Sequence, residues 1–160
     1  MTPAPTIRPA SPRDAADVAE IWSRGWRDGH VGLVPEELSR VRTEASFRER
    51  AAARIDDTTV AVVDGSMAGF VMVVGDEVEQ VYVAGEHRGT GVAGLLLAEA
   101  ERQVRANGHE RAWLAVVPGN SRARAFYERE GWRDEGPLDY TAHGPGGPIA
   151  VPCRRYAKAV

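Results

Sequence analysis

The stretch EHRGTGVAGLLL, Glu86 to Leu97, carries two overlapping signatures of a phosphate-binding loop. Taken as Gly89-x-Gly91-x-x-Gly94, its glycines have the spacing of a dinucleotide-binding turn. Taken as Arg88-x-x-Gly91-x-Ala93, it is a shorter anion cradle that opens a helix. Both rest on the same physics. Free N–H groups at a helix start, aided by the helix dipole, face an anion, and residues without a β-carbon let the main chain close around it.

The chain on either side separates the two. Upstream, TTVAVV, MAGFVMVV and VEQVYVA are β-branched runs joined by the short turns DG and GDE, which predicts a three-strand antiparallel meander. Before it, Thr6 to Pro9 reads as a first strand, and Ser11, Pro12 and Asp14 supply a helix start. Val18, Ile21, Trp22 and Trp26 form an apolar stripe at helical spacing. Gly25, Gly29 and Gly32 interrupt it, so WRDGHVGLVP is expected to bend between helices. A second helix is expected from near Pro35, with Leu38, Val41, Ala45, Ala52 and Ile55 on its buried side.

Downstream, Val92 to Ala106 reads as a helix with Ala93, Leu96, Leu97, Ala100 and Val104 on one face, closed by Asn107-Gly108. RAWLAVV reads as a strand. NSRARAFYERE reads as a helix capped by Asn120 or Ser121 and stopped by Gly131. Two further strands are expected near Trp132 to Tyr140 and Ile149 to Tyr156, around the loop HGPGGP. This order predicts a mixed α/β (α+β) fold, residues 1–160 as a single domain, with one central sheet flanked by about four helices.

A dinucleotide fold places its glycine turn between the first strand and first helix of a βαβ unit, with an acidic residue at the tip of the next strand. Here the preceding strand closes a meander, and the following strand runs out at VVPGN with no carboxylate. Too little chain follows Gly94 to complete such a sheet. The dinucleotide reading fails on context.

VYVAGEHRGTGVAGLLL, Val81 to Leu97, resembles the first signature of the GCN5-related N-acetyltransferase (GNAT) superfamily: a strand, a short connection, then Arg-x-x-Gly-x-Gly/Ala opening a helix. LAVVPGNSRARAFYEREGW, Leu114 to Trp132, resembles the second, Asn-x-x-Ala-x-x-Phe-Tyr-x-x-x-Gly-aromatic. The two occur in the family's order and at a usual separation, and the resemblance covers nearly the whole chain. Gly85 departs from it, standing where many relatives have proline.

The resemblance implies a mostly antiparallel mixed sheet with splayed middle strands and acetyl-CoA as cofactor. Backbone groups of Val81, Tyr82 and Val83 would meet the pantetheine arm as an added strand would. Arg88, Gly89, Thr90, Gly91, Val92, Ala93 and Gly94 would hold the pyrophosphate. A backbone N–H near Val83 would polarise the thioester carbonyl. Asn120 would cap its helix and hold the arm, and Tyr127, on the same helical face, would protonate the departing thiolate. A glutamate on the strand before the loop often serves as base in this family. Glu79 is the first candidate here and Glu77 the second, both expected by strand alternation on the face of Val81. Substrate is expected to enter between the first helices and the last hairpin, past Trp26, His30, Tyr140 and His143. A non-catalytic acyl-CoA-binding sensor of the same fold stays open as the alternative.

Composition narrows the rest. The 160 residues are 43% hydrophobic and 27% charged, with a formal net charge of −3, so no polycationic surface for nucleic acid is expected. That mild acidity would suit a cationic acceptor. Cys153 is the only cysteine, too near the terminus and too far from any evident histidine partner to favour a covalent route. His30, His87, His109 and His143 are scattered, so no metal site is expected. The opening MTPAPTIRPASPRD lacks the apolar core of a signal peptide, and no apolar run reaches membrane-spanning length. A cytoplasmic protein with no membrane partner is expected. The acceptor would be a small-molecule or peptide amine, and a homodimer is common in the family.

Overall fold

The computed structural model describes residues 3–160. Strand β1 (Thr6–Pro9) leads through a 3-10 turn at Pro12–Asp14 into helix α1 (Ala15–His30). The Asp14 carboxylate accepts the Ser11 N–H at 2.7 Å and a fork from Arg8 at 2.7 and 3.0 Å. The Arg8 guanidinium hydrogen-bonded to it holds the Asp14 carboxyl down at about 2.

Along α1, Val18, Trp22 and Trp26 are buried as their spacing predicts. The expected bend at Gly25 and Gly29 is absent, because the helix continues through both to His30. These glycines mark close approach. A Cβ on Gly25 would lie 2.4 Å from Tyr82 Cδ1, and one on Gly29 would lie 2.8 Å from Asn120 Nδ2. Gly25→Ala therefore sets two effects against each other. Helix propensity favours alanine by about 1 kcal/mol, while overpacking a ring already packed on Phe70 costs about 1–3 kcal/mol. The Cβ would meet the body of the ring, which places the overpacking cost at about 2–3 kcal/mol, so the net loss is about 1–2 kcal/mol and the Tm in thermal melting should fall by about 2–8 °C. A raised Tm would contradict the contact.

The helix expected from Pro35 is two helices, α2 (Glu36–Val41) and α3 (Glu44–Ala53). They break at Arg42–Thr43, where Thr43 Oγ1 caps α3 by accepting the Ser46 N–H at 3.1 Å. The break shifts the helical phase. Phe47 and Ala51 are buried, whereas Ala45 and Ala52, expected inside, are exposed. Among the described residues five α-helices result instead of about four.

The meander follows as β2 (Thr58–Val63), β3 (Ser66–Val74) and β4 (Glu77–Val83). Then come α4 (Val92–Ala106), β5 (Arg111–Val116), α5 (Ser121–Arg129), β6 (Arg133–Gly144) and β7 (Gly147–Ala159). The last two strands outrun their expected limits and pair as far as Gly144 with Gly147, so HGPGGP is the tip of a long hairpin. The seven-stranded sheet runs β1-β2-β3-β4-β5-β7-β6. Among the described strands only β4 and β5 pair in parallel, through one registered pair, Glu77 with Trp113. Helices α4 and α5 cover one face, against Val71, Val73, Val78 and Val81. Helices α1 and α3 cover the other, against Phe70, Met72 and Tyr82.

Register also moves a prediction. Gln80 pairs with Met72 but Val78 pairs with Val73, so Glu79 is an extra residue bulged out of β4. Beyond the bulge the alternation is inverted. Glu77, opposite Val74, falls on the Tyr82 face, and Glu79 turns to α3; neither shares the face of Val81, as alternation alone had implied.

Candidate active site

From the Glu77–Trp113 pair, where the Trp113 N–H also bonds Asp76 O at 3.1 Å, β4 and β5 part. A cavity of about 400 Å³ opens between them, walled by Glu77 to Tyr82 on one side and Leu114 to Val117 on the other. The Ala84 N–H bonds Ala68 O at 2.8 Å, toward β3. Strand alternation then aims the backbone N–H groups of Val81 and Val83 away from β3, into the gap. An extended, side-chain-free ligand arm fits such an unpaired edge.

At the wide end β4 runs into the glycine loop. Gly91 caps α4 at φ 87°, a left-handed conformation that side chains resist, and a Cβ there would meet open space. The first helical hydrogen bond is Leu95 N–H to Gly91 O at 3.1 Å, which leaves the amides of Val92, Ala93 and Gly94 ahead of it. Gly89 is also left-handed, at φ 77°. The Thr90 hydroxyl donates to His87 O at 2.5 Å and steadies the turn. Arg88 is not aimed into the cradle. It pairs with Asp28 on α1 at 2.9 Å, an exposed bridge that ties the loop down.

On the β5 side, Asn120 caps α5 by accepting the Ala123 N–H at 3.2 Å, and it shares the cavity wall with Tyr127. The Tyr127 ring packs against Phe126, Trp132 and Tyr156, and its hydroxyl bonds no described protein group. Burial pushes the Tyr127 phenol up to about 12, so it keeps its proton at neutral pH.

The two glutamates differ. Both oxygens of Glu79 accept from Arg54, at 2.5 and 2.9 Å. Glu77 accepts one bond, from Tyr140 Oη at 2.7 Å. Burial first, and then the charges of Glu79 and Asp76, raise the Glu77 carboxyl above its ordinary value, against the lowering pull of Tyr140 and Arg54.

Trp26, His30, Tyr140 and His143 all line this cavity. His30 occupies the last turn of α1, stacked on Trp26 with centroids 5.0 Å apart, and its Nδ1 lies 2.9 Å from Trp26 O. Burial lowers its pKa, which favours the neutral ring. Cys153 reaches the same wall from β7 despite its place near the terminus. Burial pushes its thiol up to about 11, which leaves little thiolate for a covalent route.

Three wall residues were missed in sequence: Arg42, Arg50 and Arg54. Arg50 and Arg54 stand one turn apart, on the same side as Phe47 and Ala51. That spacing was a readable signal, hidden by phasing the helix on its alanines.

A family model described as "Acetyltransferase (GNAT) family" matches residues 16–132. An uncharacterized N-acetyltransferase of Mycobacterium tuberculosis is 32% identical over 113 residues, covering 65% of this chain and 72% of that protein. The PaiA N-acetyltransferase from Thermoplasma acidophilum, solved in complex with coenzyme A, is similar in fold with a TM-score of 0.76 at 21% identity, covering 98% of this chain and 99% of that one. A structure from Salmonella typhimurium, YncA, described as a putative acetyltransferase with its cofactor acetyl-CoA, gives 0.67 at 18% identity, covering 98% and 94%. No helix among the described residues is long and apolar enough to cross a membrane.

Proposed function

The chain belongs to the acetyltransferase (GNAT) family, and from that premise we propose that it moves an acetyl group from acetyl-CoA directly to an amine of a small molecule or peptide, both held in one ternary complex. The observation that supports this best is the gap between β4 and β5: closed at Glu77–Trp113, open toward the glycine loop, and walled by a glutamate and a tyrosine suited to proton transfer.

Acetyl-CoA, when bound, supplies an activated thioester. The amides from Gly89 to Gly94 would hold its pyrophosphate at the start of α4, and the inward N–H groups of Val81 and Val83 would hold its arm and carbonyl. Glu77 accepts the proton that the attacking amine must lose. It is the better base of the two, because its carboxylate is bound by one hydroxyl and its proton affinity is raised. Glu79 instead fixes Arg54, since accepting a proton would break a two-bond fork. Tyr127 would supply the proton that the departing thiolate needs as the amine nitrogen takes the acetyl group.

Incubating the protein with acetyl-CoA and a broad amine panel, then assaying free thiol, tests the reading. Release above background with at least one amine is expected. Tight acetyl-CoA binding with no release across the panel would mark a sensor instead. Tyr127→Phe should lower kcat only about tenfold, because a thiol of pKa about 8.5 needs little help to leave. Unchanged kcat would remove the hydroxyl from the mechanism.

A further inference from the structure

Three guanidiniums converge on the acceptor side of the cavity. Arg54 is neutralised by Glu79. Arg42, at the α2–α3 break and only 8% exposed, spends its one hydrogen bond on a neutral acceptor, His143 O at 2.9 Å. Arg50 stacks on the Trp22 ring at 4.2 Å and on Phe47 at 5.6 Å. It forms no hydrogen bond or ion pair with any described residue, and its Nη1 is buried without a partner. Arg50 is also one of the residues that line the cavity. Burial, and then the neighbouring charge of Arg42, lowers the Arg50 guanidinium to about 10, so the site holds cations under strain.

Resting on the acyltransferase reading above, we infer that the acceptor is an amino carboxylate, its amine toward Glu77 and its carboxylate bound by Arg50 and Arg42. A buried unpaired cation is costly, and a counter-ion removes that cost. A guanidinium held over an aromatic ring keeps its planar donor fork, which matches a carboxylate. The pairing pattern selects the ligand's handle. Arg54 is paired by Glu79 and Asp57, whereas Arg42 and Arg50 have no carboxylate partner among the described residues, so a carboxylate on the acceptor would meet two unpaired cations and a polyamine would bring them none. The cavity thus opposes the cationic acceptor that the chain's net acidity had suggested. The carboxylate takes no share in bond making, and acts as the handle by which the amine is placed.

Matched pairs of amines test this by thiol release: an α-amino acid against its carboxamide, and an ω-amino acid against the alkylamine of equal length. The wild-type protein should favour the carboxylate member by about tenfold to a hundredfold in kcat/KM, the range of a charge-assisted contact. Arg50→Gln should pull that ratio toward one by raising KM for the carboxylate member, and Arg50→Lys should fall between. Melting curves check that both variants fold, and the wild-type ratio needs no variant at all. Equal or better use of amines lacking a carboxylate overturns the inference and leaves the acyltransferase reading standing. An Arg50→Gln ratio equal to wild type overturns the role of Arg50. Absence of thiol release with every amine tested removes the acyltransferase reading and this inference together.

Discussion

Replacing Glu77 by glutamine is expected to lower kcat/KM for the amine about a hundredfold or more and to erase the acid limb of the pH profile. As the proposed base Glu77 would act deprotonated, so activity should fall as pH drops through its pKa. Burial and the neighbouring carboxylates raise that pKa, so the wild-type limb should lie above the range of an ordinary carboxylate. Tyr140 donates to the charged form and pulls the pKa down. Tyr140→Phe should therefore move the limb to still higher pH, while Glu77→Gln leaves none. A Glu77→Gln profile with the limb intact would pass the proton to another group. Glu79→Gln, which breaks the fork to Arg54, should then be compared under the same conditions.

The second large effect is on stability. Trp22 is fully buried, edge-on to Phe47 at 5.6 Å and to Phe70 at 5.9 Å, with Arg50 over its ring. Trp22→Ala opens a cavity worth about 3–5 kcal/mol. The indole N–H is buried without a partner, which already offsets some of the burial gain and places the loss toward the lower end. At roughly 2–4 °C per kcal/mol for a chain of this size, melting should fall by about 6–12 °C. A fall of only a degree or two would mean that α1 is not anchored on this ring. Trp22→Phe keeps a platform for Arg50 and should retain most of the stability.

What could be read from the sequence was what depends on neighbours along the chain. The glycine loop, the Asn120 cap, the meander and the face of α4 are local consequences of backbone chemistry and hydrophobic period, and each lies where its residues imply. The course of α1 was misread because Gly25 and Gly29 answer to Tyr82 and Asn120, residues far along the chain. The orientation of Glu77 was misread because a bulge exists only relative to the partner strand, and alternation counted along β4 alone cannot register it. Arg50 was passed over because phasing one long helix on Ala45 and Ala52 turned it away from the aromatic surface it covers. Local chemistry wrote the glycine loop, and tertiary contacts wrote the arginine wall opposite it.

The lone rung between β4 and β5 leaves this sheet with two inward-facing hems besides its outer borders at β1 and β6. Such hems invite another chain, yet layers of helix roof them on both faces. A polypeptide would need room for side chains above and below its plane, where these helices pack; a slender tether bearing amides and methylenes would not. The seam therefore sorts its visitors by girth before any charged residue is consulted.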